Sequence, residues 1–342
     1  MAEEVLRMPE LPAEFCEKMK GLLGDQYPKF EASYGKDRLL GLRLNLLKLG
    51  KGEERIRYGR ELLEGEGFHL RPIPWAQEGF FYQESDRPGK HPFHEAGLYY
   101  IQEPSAMVPA ALLEPEPGER ILDLCAAPGG KTTQILSALG GAGLLVANEI
   151  HPARAQILSQ NVERMGGANC VVLNETPLKL AGRFHSFFHR ILVDAPCSGE
   201  GMFRKDGEAI KQWSPDHVKM CARRQQEILD CAAAMLCPGG RMVYSTCTFS
   251  PEENEGTVLE FLKTHPDFYV EKTKKIPGFS EGRPRWAGQD EDSFHLAETV
   301  RIFPQDGEGE GHYAAVLRRE GNLPEGTEEQ AGVRGLKGGQ LE

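Results

Sequence analysis

The chain has 342 residues, of which 27% are charged and 40% hydrophobic, with a net charge of −11. This excludes a collagen, an extended coiled coil and wholesale disorder, and the length suits about two domains. No run of about 18 apolar residues offers a membrane span, and the acidic start MAEEVLRMPELP lacks the apolar core of a signal peptide.

In the first hundred residues, 12–24 carry apolar side chains at Phe15, Met19, Leu22 and Leu23, which is helical spacing. Residues 39–50 read as a strand or strand–turn, 60–67 as a short helix stopped by glycine, and 68–75 as extended chain. The expectation is a small α/β module over 1–104. From 119 the pattern becomes regular. Strands are expected at 120–126, 143–149, 169–175 and 189–195, with helices at 131–140 and 151–167 between them. A long helix over 214–240 opens at Ser214 and Pro215 and stops at Gly239. After a strand at 241–246, a helix over 250–265 opens with a capping box from Ser250 to Glu253. Strands at 299–304 and 312–319 complete the pattern, and 320–342, rich in Gly and Glu, is expected to be disordered. Strands alternating with helices imply a mostly parallel sheet over 105–319, with ligands at the carboxyl ends of its strands.

The eight cysteines include no C-x-x-C pair, so neither a structural zinc nor any other metal site is expected. They are expected to be free thiols in a reducing, cytoplasmic setting. The chain is acidic, yet Arg204, Lys205, Lys211, Lys219, Arg223 and Arg224 form one basic stretch. It reads either as a solvated helix face or as a phosphate track, with Arg43 and Lys48 as an alternative docking surface.

Three segments carry chemistry. DLCAAPGGKTT (123–133) passes from a strand into a helix, where paired glycines admit close approach of a ligand and the first amides of the helix face it. The spacing fits neither a Walker A loop nor the dinucleotide G-x-G-x-x-G. Glu149 ends the next strand, 20 positions after Gly129, where a carboxylate can accept both hydroxyls of a ribose. The pair suggests an adenosine-containing cofactor with no triphosphate. ILVDAPCSGEGMFRKD (191–206) brings Asp194 and Cys197 to a strand end at a sharp turn. MVYSTCTFSPEENE (242–255) sets Cys247 between a strand and a helix start, a place that favours a thiolate.

CAAPGGKT, DAPCSGEG and YSTCTFSPEENE together resemble the RNA cytosine-5 methyltransferases of the Nol/Nop/Sun type, and most nearly the bacterial RsmF-like rRNA methyltransferases. RLNLLK (43–48), GLYYIQEPSAM (97–107) and the segment 299–319 extend the resemblance over about 30–319. It implies a class I S-adenosylmethionine-dependent methyltransferase fold, Rossmann-like, with a seven-stranded sheet ending in a reversed strand. It implies that S-adenosyl-L-methionine is held by Cys125, Ala126, Ala127, Pro128, Gly129, Gly130, Lys131 and Glu149. Asp194 is expected near both the reactive end of the cofactor and the target base. Thr176 stands where the family often has Asp. The resemblance makes Cys247 the nucleophile and gives Cys197 a part in release. Spacing alone leaves the two thiols open, because DNA cytosine-5 methyltransferases use a Pro-Cys thiol like Pro196-Cys197.

The residues suit that chemistry. Carbon-5 of cytosine is a poor nucleophile until a thiolate adds to carbon-6. Asp194 can hydrogen-bond the base and stabilise the adduct. An amino-group methyltransferase would carry an aromatic residue where DAPC has none. A ribosome-assembly factor without activity would not need both cysteines, Asp194 and Lys131. The partner is expected to be RNA, 16S rRNA first with tRNA as the alternative, met by a monomer through residues 1–104 or other surfaces.

Overall fold

The computed structural model describes residues 10–273, 276, 278–306 and 309–324. Its first part is the expected small α/β unit. Helices α1 (Ala13–Leu23) and α2 (Tyr27–Ser33) precede β1 (Leu40–Leu44), α3 (Leu46–Leu49), α4 (Glu53–Gly65), β2 (Arg71–Ile73), β3 (Ala76–Tyr82), α5 (Pro92–Glu95) and β4 (Tyr99–Ile101). The four strands pair antiparallel in the order β2-β3-β1-β4.

The second part begins with α6 (Val108–Leu113) and then alternates: β5 (Arg120–Asp123), α7 (Gly130–Leu139), β6 (Leu144–Asn148), α8 (Pro152–Met165), β7 (Cys170–Leu173), α9 (Pro177–Ala181) and β8 (Phe188–Asp194). There follow α10 (Gly207–Gln212), α11 (Pro215–Met235), β9 (Leu236–Thr246), α12 (Glu255–Thr264), β10 (Phe268–Val270), β11 (Ser280–Glu281), β12 (Val300–Ile302) and β13 (His312–Arg319). Strand β5 is central because Ile121 and Leu122 are buried on opposite faces, as a parallel strand covered by helices requires. Helix α8 starts on Pro152, which lacks the N–H that a first turn leaves unpaired, and ends on Gly166 in the left-handed region at φ +84°.

The expected seven strands run β7-β6-β5-β8-β9-β13-β12, and β13 is reversed against β9. Two short strands add to them: β11 pairs with β12, and β10 with the far end of β13. The chain steps outward from β5 in both directions, so a crevice opens at the carboxyl ends of β5 and β8.

The two parts share a core. Ile73, Trp75 and Phe81 pack in one cluster with Ile121, Leu145 and Val243. The aromatic faces of α1 and α2 pack around the segments that follow the two candidate cysteines: Phe15, Phe30 and Tyr34 cluster with Phe203, Trp213 and Phe249.

Three local expectations change. Helix α11 ends at Met235, not at Gly239. Pro238 has no N–H and would clash with the preceding turn, so Leu236–Thr246 joins the sheet and Leu236 and Cys237 are buried there. Gly239, at φ +73°, bends inside that strand and donates its N–H to the Glu320 carbonyl at 3.2 Å. Glu320 N–H donates in turn to Asp267 O at 2.8 Å, so the start of the expected tail is held to the fold. Residues 325–342 lie outside the described residues. Finally, Ser250 and Glu253 form no capping box. Helix α12 begins at Glu255 after Asn254, and both side chains turn inward to other partners.

Candidate active site

The carboxyl ends of β5, β6, β8 and β9 carry Cys125, Glu149, Asp194 and Cys247, and these four line one cavity of about 720 Å³. Ala127, Thr176 and Cys197 line it as well. The sheet order brings together residues that the sequence spreads over more than 120 positions.

The glycines of the loop also make room for protein neighbours. A Cβ on Gly129, which sits at φ +114°, would lie 3.2 Å from Leu158 Cδ1. One on Gly130 would lie 3.2 Å from Tyr100 Cε1. Both glycines therefore admit protein neighbours, α8 on one side and β4 on the other. Pro128, Gly129 and Gly130 stay off the cavity wall, as does buried Ala126. Arg43, a docking candidate by sequence, is wholly buried and secures this loop. Its guanidinium donates to Gly130 O at 3.1 Å, Thr133 Oγ1 at 2.7 Å and Gln102 Oε1 at 3.1 Å. Lys48 donates to the Ala96 and Arg164 carbonyls at 2.5 and 2.7 Å.

Glu149 is buried at the cavity edge. Its Oε1 accepts the His151 N–H at 3.0 Å, and its Oε2 lies 3.2 Å from Arg154 Nη1. A carboxylate has about four lone-pair sites, so both oxygens retain acceptor capacity toward a ligand. Thr176 Oγ1 accepts Lys179 N–H at 3.4 Å as the N-cap of α9. Beyond it the cavity mouth is apolar: Ile150 is 51% exposed and Leu178 76% exposed, unusually open for such side chains.

Lys131 is not on the cavity wall but acts on it, because its Nζ lies 2.7 Å from Asp194 Oδ2. Ser245 Oγ donates to Asp194 Oδ1 at 2.7 Å. Burial would raise the Asp194 carboxyl, but the Lys131 charge and these hydrogen bonds outweigh it and hold the group below its ordinary range. Burial would lower the Lys131 ammonium, and Asp194 holds it up instead.

Cys197 Sγ and Cys247 Sγ lie 3.3 Å apart, and both residues are partly exposed. The Cys197 thiol is pushed well up, first by its hydrogen bond with Cys247 and then by burial. Burial likewise pushes the Cys125 thiol up, which suits a wall residue and not a nucleophile.

The family model for the 16S rRNA methyltransferase RsmB/F matches residues 110–318. The chain belongs to the RsmB/F family. A second model, the N-terminal domain of 16S rRNA methyltransferase RsmF, matches residues 11–104. Ribosomal RNA small subunit methyltransferase F of Escherichia coli O17:K52:H18 is 36% identical over 291 residues, 83% of this chain. The same-named protein of Escherichia fergusonii is also 36% identical. The chain spans 57% of the length of these RsmF relatives. Among solved structures, a methyltransferase homolog protein from Pyrococcus horikoshii superposes with a TM-score of 0.79 at 28% identity, covering 92% of this chain and 97% of that one. NSun6 from the same organism, solved with SFG, gives a TM-score of 0.75 at 21% identity over 91% of this chain and 99% of that one, and shows the fold alone.

In this RsmB/F member, several residues around the site escaped the sequence. Arg204 belongs to the basic stretch, but its side chain is 7% exposed and pairs with Glu310 at 2.7 Å while donating to Ser33 O at 2.7 Å. Lys211 and Lys219 pair with Glu208 and Asp216. Arg223, Arg224 and Lys205 remain exposed, and Arg224 lines the cavity. His312 is buried at the start of β13 with Nδ1 3.1 Å from Ser105 Oγ. Burial, and then the Lys131 charge, push its imidazole down to about 4. No sequence signal marked it. Glu200 and Glu253 are buried too; both lie inside the cysteine motifs, and Glu253 was read only as part of a helix cap.

Proposed function

We propose that this chain methylates carbon-5 of cytosine in RNA, with 16S rRNA as the substrate and S-adenosyl-L-methionine as the methyl source. The observation that carries the reading is the contact of Cys197 with Cys247 at 3.3 Å on the wall of a cavity shared with Asp194. Addition to carbon-6 needs one thiol, and a second in contact with it suits the reverse step.

The cavity fits the cofactor on its own features. It has a buried carboxylate with spare acceptor capacity at Glu149, an apolar mouth at Ile150 and Leu178, and the backbone of Cys125 to Ala127 along its wall. We assign cofactor holding to Cys125, Ala127, Glu149, Asp194 and Thr176, with Ala126, Pro128, Gly129, Gly130 and Lys131 shaping the loop behind them. When bound, S-adenosyl-L-methionine supplies the electrophilic methyl group.

The protein's part is as follows. Cys247, its proton lost to solvent water, adds to carbon-6 as the thiolate, and Asp194, kept ionised by Lys131, accepts from the exocyclic amino group and holds the base in place. After carbon-5 is methylated, its proton leaves to solvent water and the electron pair re-forms the carbon-5–carbon-6 bond. The carbon-6–sulfur bond breaks, and its pair stays on Cys247. Cys197, held protonated, donates its S–H to that departing thiolate.

We assign RNA docking to the 1–104 unit together with Arg223, Arg224 and Lys205 beside the cavity, and catalysis to 105–319. The proposed form is a monomer acting on its ribosomal substrate in the cytoplasm. No helix among the described residues is long and apolar enough to cross a membrane. The test is bisulfite sequencing of 16S rRNA, 30S subunits and tRNA after incubation with the purified protein and cofactor. New protected cytosines in 16S rRNA are expected. Protection in tRNA alone would reassign the substrate, and protection in none would overturn the activity.

A further inference from the structure

Glu200 and Glu253 have no part in the chemistry above, yet both carboxylates sit directly behind the two thiols. Glu200 follows Cys197 in sequence, and Glu253 follows Cys247. Each reaches across to the other's loop. Glu200 accepts the Phe249 N–H at 2.8 Å and the Trp213 indole N–H at 2.9 Å, together with the Ser250 hydroxyl. Glu253 accepts the Ser198 N–H and the Gln225 side-chain amide, each at 2.9 Å, together with the Ser198 hydroxyl. Between them the Gly201 N–H donates to Cys247 O at 2.8 Å. A Cβ on Gly201 would lie 2.8 Å from Gly311 O and 3.0 Å from Cys247 O, so the loops are in backbone contact.

Both carboxylates are 0% exposed, and among the described residues no cation pairs with either. Two other buried glutamates are treated differently, although Asp123, buried too, likewise pairs with no cation among the described residues. Glu255 is neutralised by Arg301, and Glu310 by Arg204. A buried carboxylate without a counter-charge is costly. What it provides in return is direction: it binds the amide and hydroxyl of one residue at once and fixes that turn. Burial raises the Glu253 carboxyl to about 7, against the hydrogen bonds from Ser198 and Gln225 that lower it.

We infer that Glu253 is a positioning residue for Cys197: by holding the amide and hydroxyl of Ser198 it aims the neighbouring thiol at Cys247 for release of the product. The inference rests on the covalent reading above. It predicts a defect confined to the last step, because Glu253 touches neither the cavity wall nor Asp194.

The test is Glu253→Gln, which keeps the volume but sets an NH2 group against one of the donors now bound. With cofactor and substrate RNA, kcat should fall at least tenfold while both KM values stay within twofold. A protein–RNA complex that survives denaturation should accumulate, as expected for Cys197→Ala. Unchanged turnover without a trapped complex would overturn the assignment, and so would a rise in KM with kcat preserved. Should Glu253→Gln melt too early to assay, Ser198→Ala removes one of the two held groups and leaves the fold-bearing N–H. It should trap the same complex to a smaller extent, and none at all would overturn the assignment. Cys197→Ala, run alongside, separates the two failures. If it traps a complex and Glu253→Gln does not, the positioning role alone is wrong. If it traps nothing, the covalent reading itself falls.

Discussion

Cys197 and Cys247, 50 residues apart in the chain, touch through their sulfurs at 3.3 Å, close enough to share one proton and well beyond the length of an S–S bond. In the function proposed above, Cys247 attacks and Cys197, whose thiol is pushed well up first by its hydrogen bond with Cys247, serves release. The two alanine variants should therefore fail differently. Cys247→Ala should form neither methylated cytosine nor a covalent complex. Cys197→Ala should accumulate a denaturation-resistant complex carrying methylated cytosine. A denaturing gel with labelled RNA and cofactor reads both. A complex in Cys247→Ala alone would exchange the roles, and full activity in both would end the covalent mechanism.

Glu149→Ala should weaken S-adenosyl-L-methionine binding by about 1.5–3 kcal/mol, the usual loss for hydrogen bonds to a charged group. Arg154 and the His151 N–H lose their acceptor in the same variant. Glu149→Gln keeps an acceptor and should lose less. Titration calorimetry without RNA measures this directly, and unchanged affinity in Glu149→Ala would remove the residue from the cofactor site.

Arg204 and Arg224 are neighbours in a basic stretch but should behave oppositely. Arg204→Ala breaks a buried pair with Glu310 whose side chains are 7% and 4% exposed. Leaving the partner charge unpaired should cost about 3–5 kcal/mol of stability, seen as a lower melting temperature. Charge removal at Arg223 and Arg224 should leave melting unchanged and weaken RNA binding. The log–log salt slope should shrink by about 0.7–0.9 for each phosphate that is no longer neutralised. If it does not change, RNA docks elsewhere.

Asp123 is buried at the end of β5, with Thr132 Oγ1 donating to Oδ2 at 2.7 Å and, among the described residues, no partner for Oδ1. Burial raises its carboxyl to about 7. The folded protein then keeps a proton that the unfolded chain releases above about pH 4. Its contribution to stability falls as pH rises from about 4 to 7 and is level above that, a span worth on the order of 4 kcal/mol. Asp123→Asn should remove this slope, so the variant gains on the parent at pH 8 relative to pH 5. Denaturant melts at the two pH values decide it. A parallel offset at both would show that Asp123 is ionised when folded.

The strands and their ends were legible in the sequence because apolar runs such as 120–124 and 189–193 bury both faces of a parallel sheet, and that requirement is local. Once β5, β6, β8 and β9 are read as parallel strands, Cys125, Glu149, Asp194 and Cys247 fall at the carboxyl ends, and the sheet order makes them neighbours. What the tertiary structure decided is the partnership of each buried polar group. Gly129 and Gly130 read as a ligand cradle, and only the fold shows that Leu158 and Tyr100 also need them to lack a Cβ. Arg204 and Arg43 looked like phosphate contacts and are bound inside the fold. Ser250 and Glu253 looked like one helix cap and serve two different loops. A helix cap or an exposed cation is specified within a few residues. A buried donor or acceptor must be satisfied by whatever the fold brings beside it, and in Arg204 with Glu310 that partner is 106 residues away.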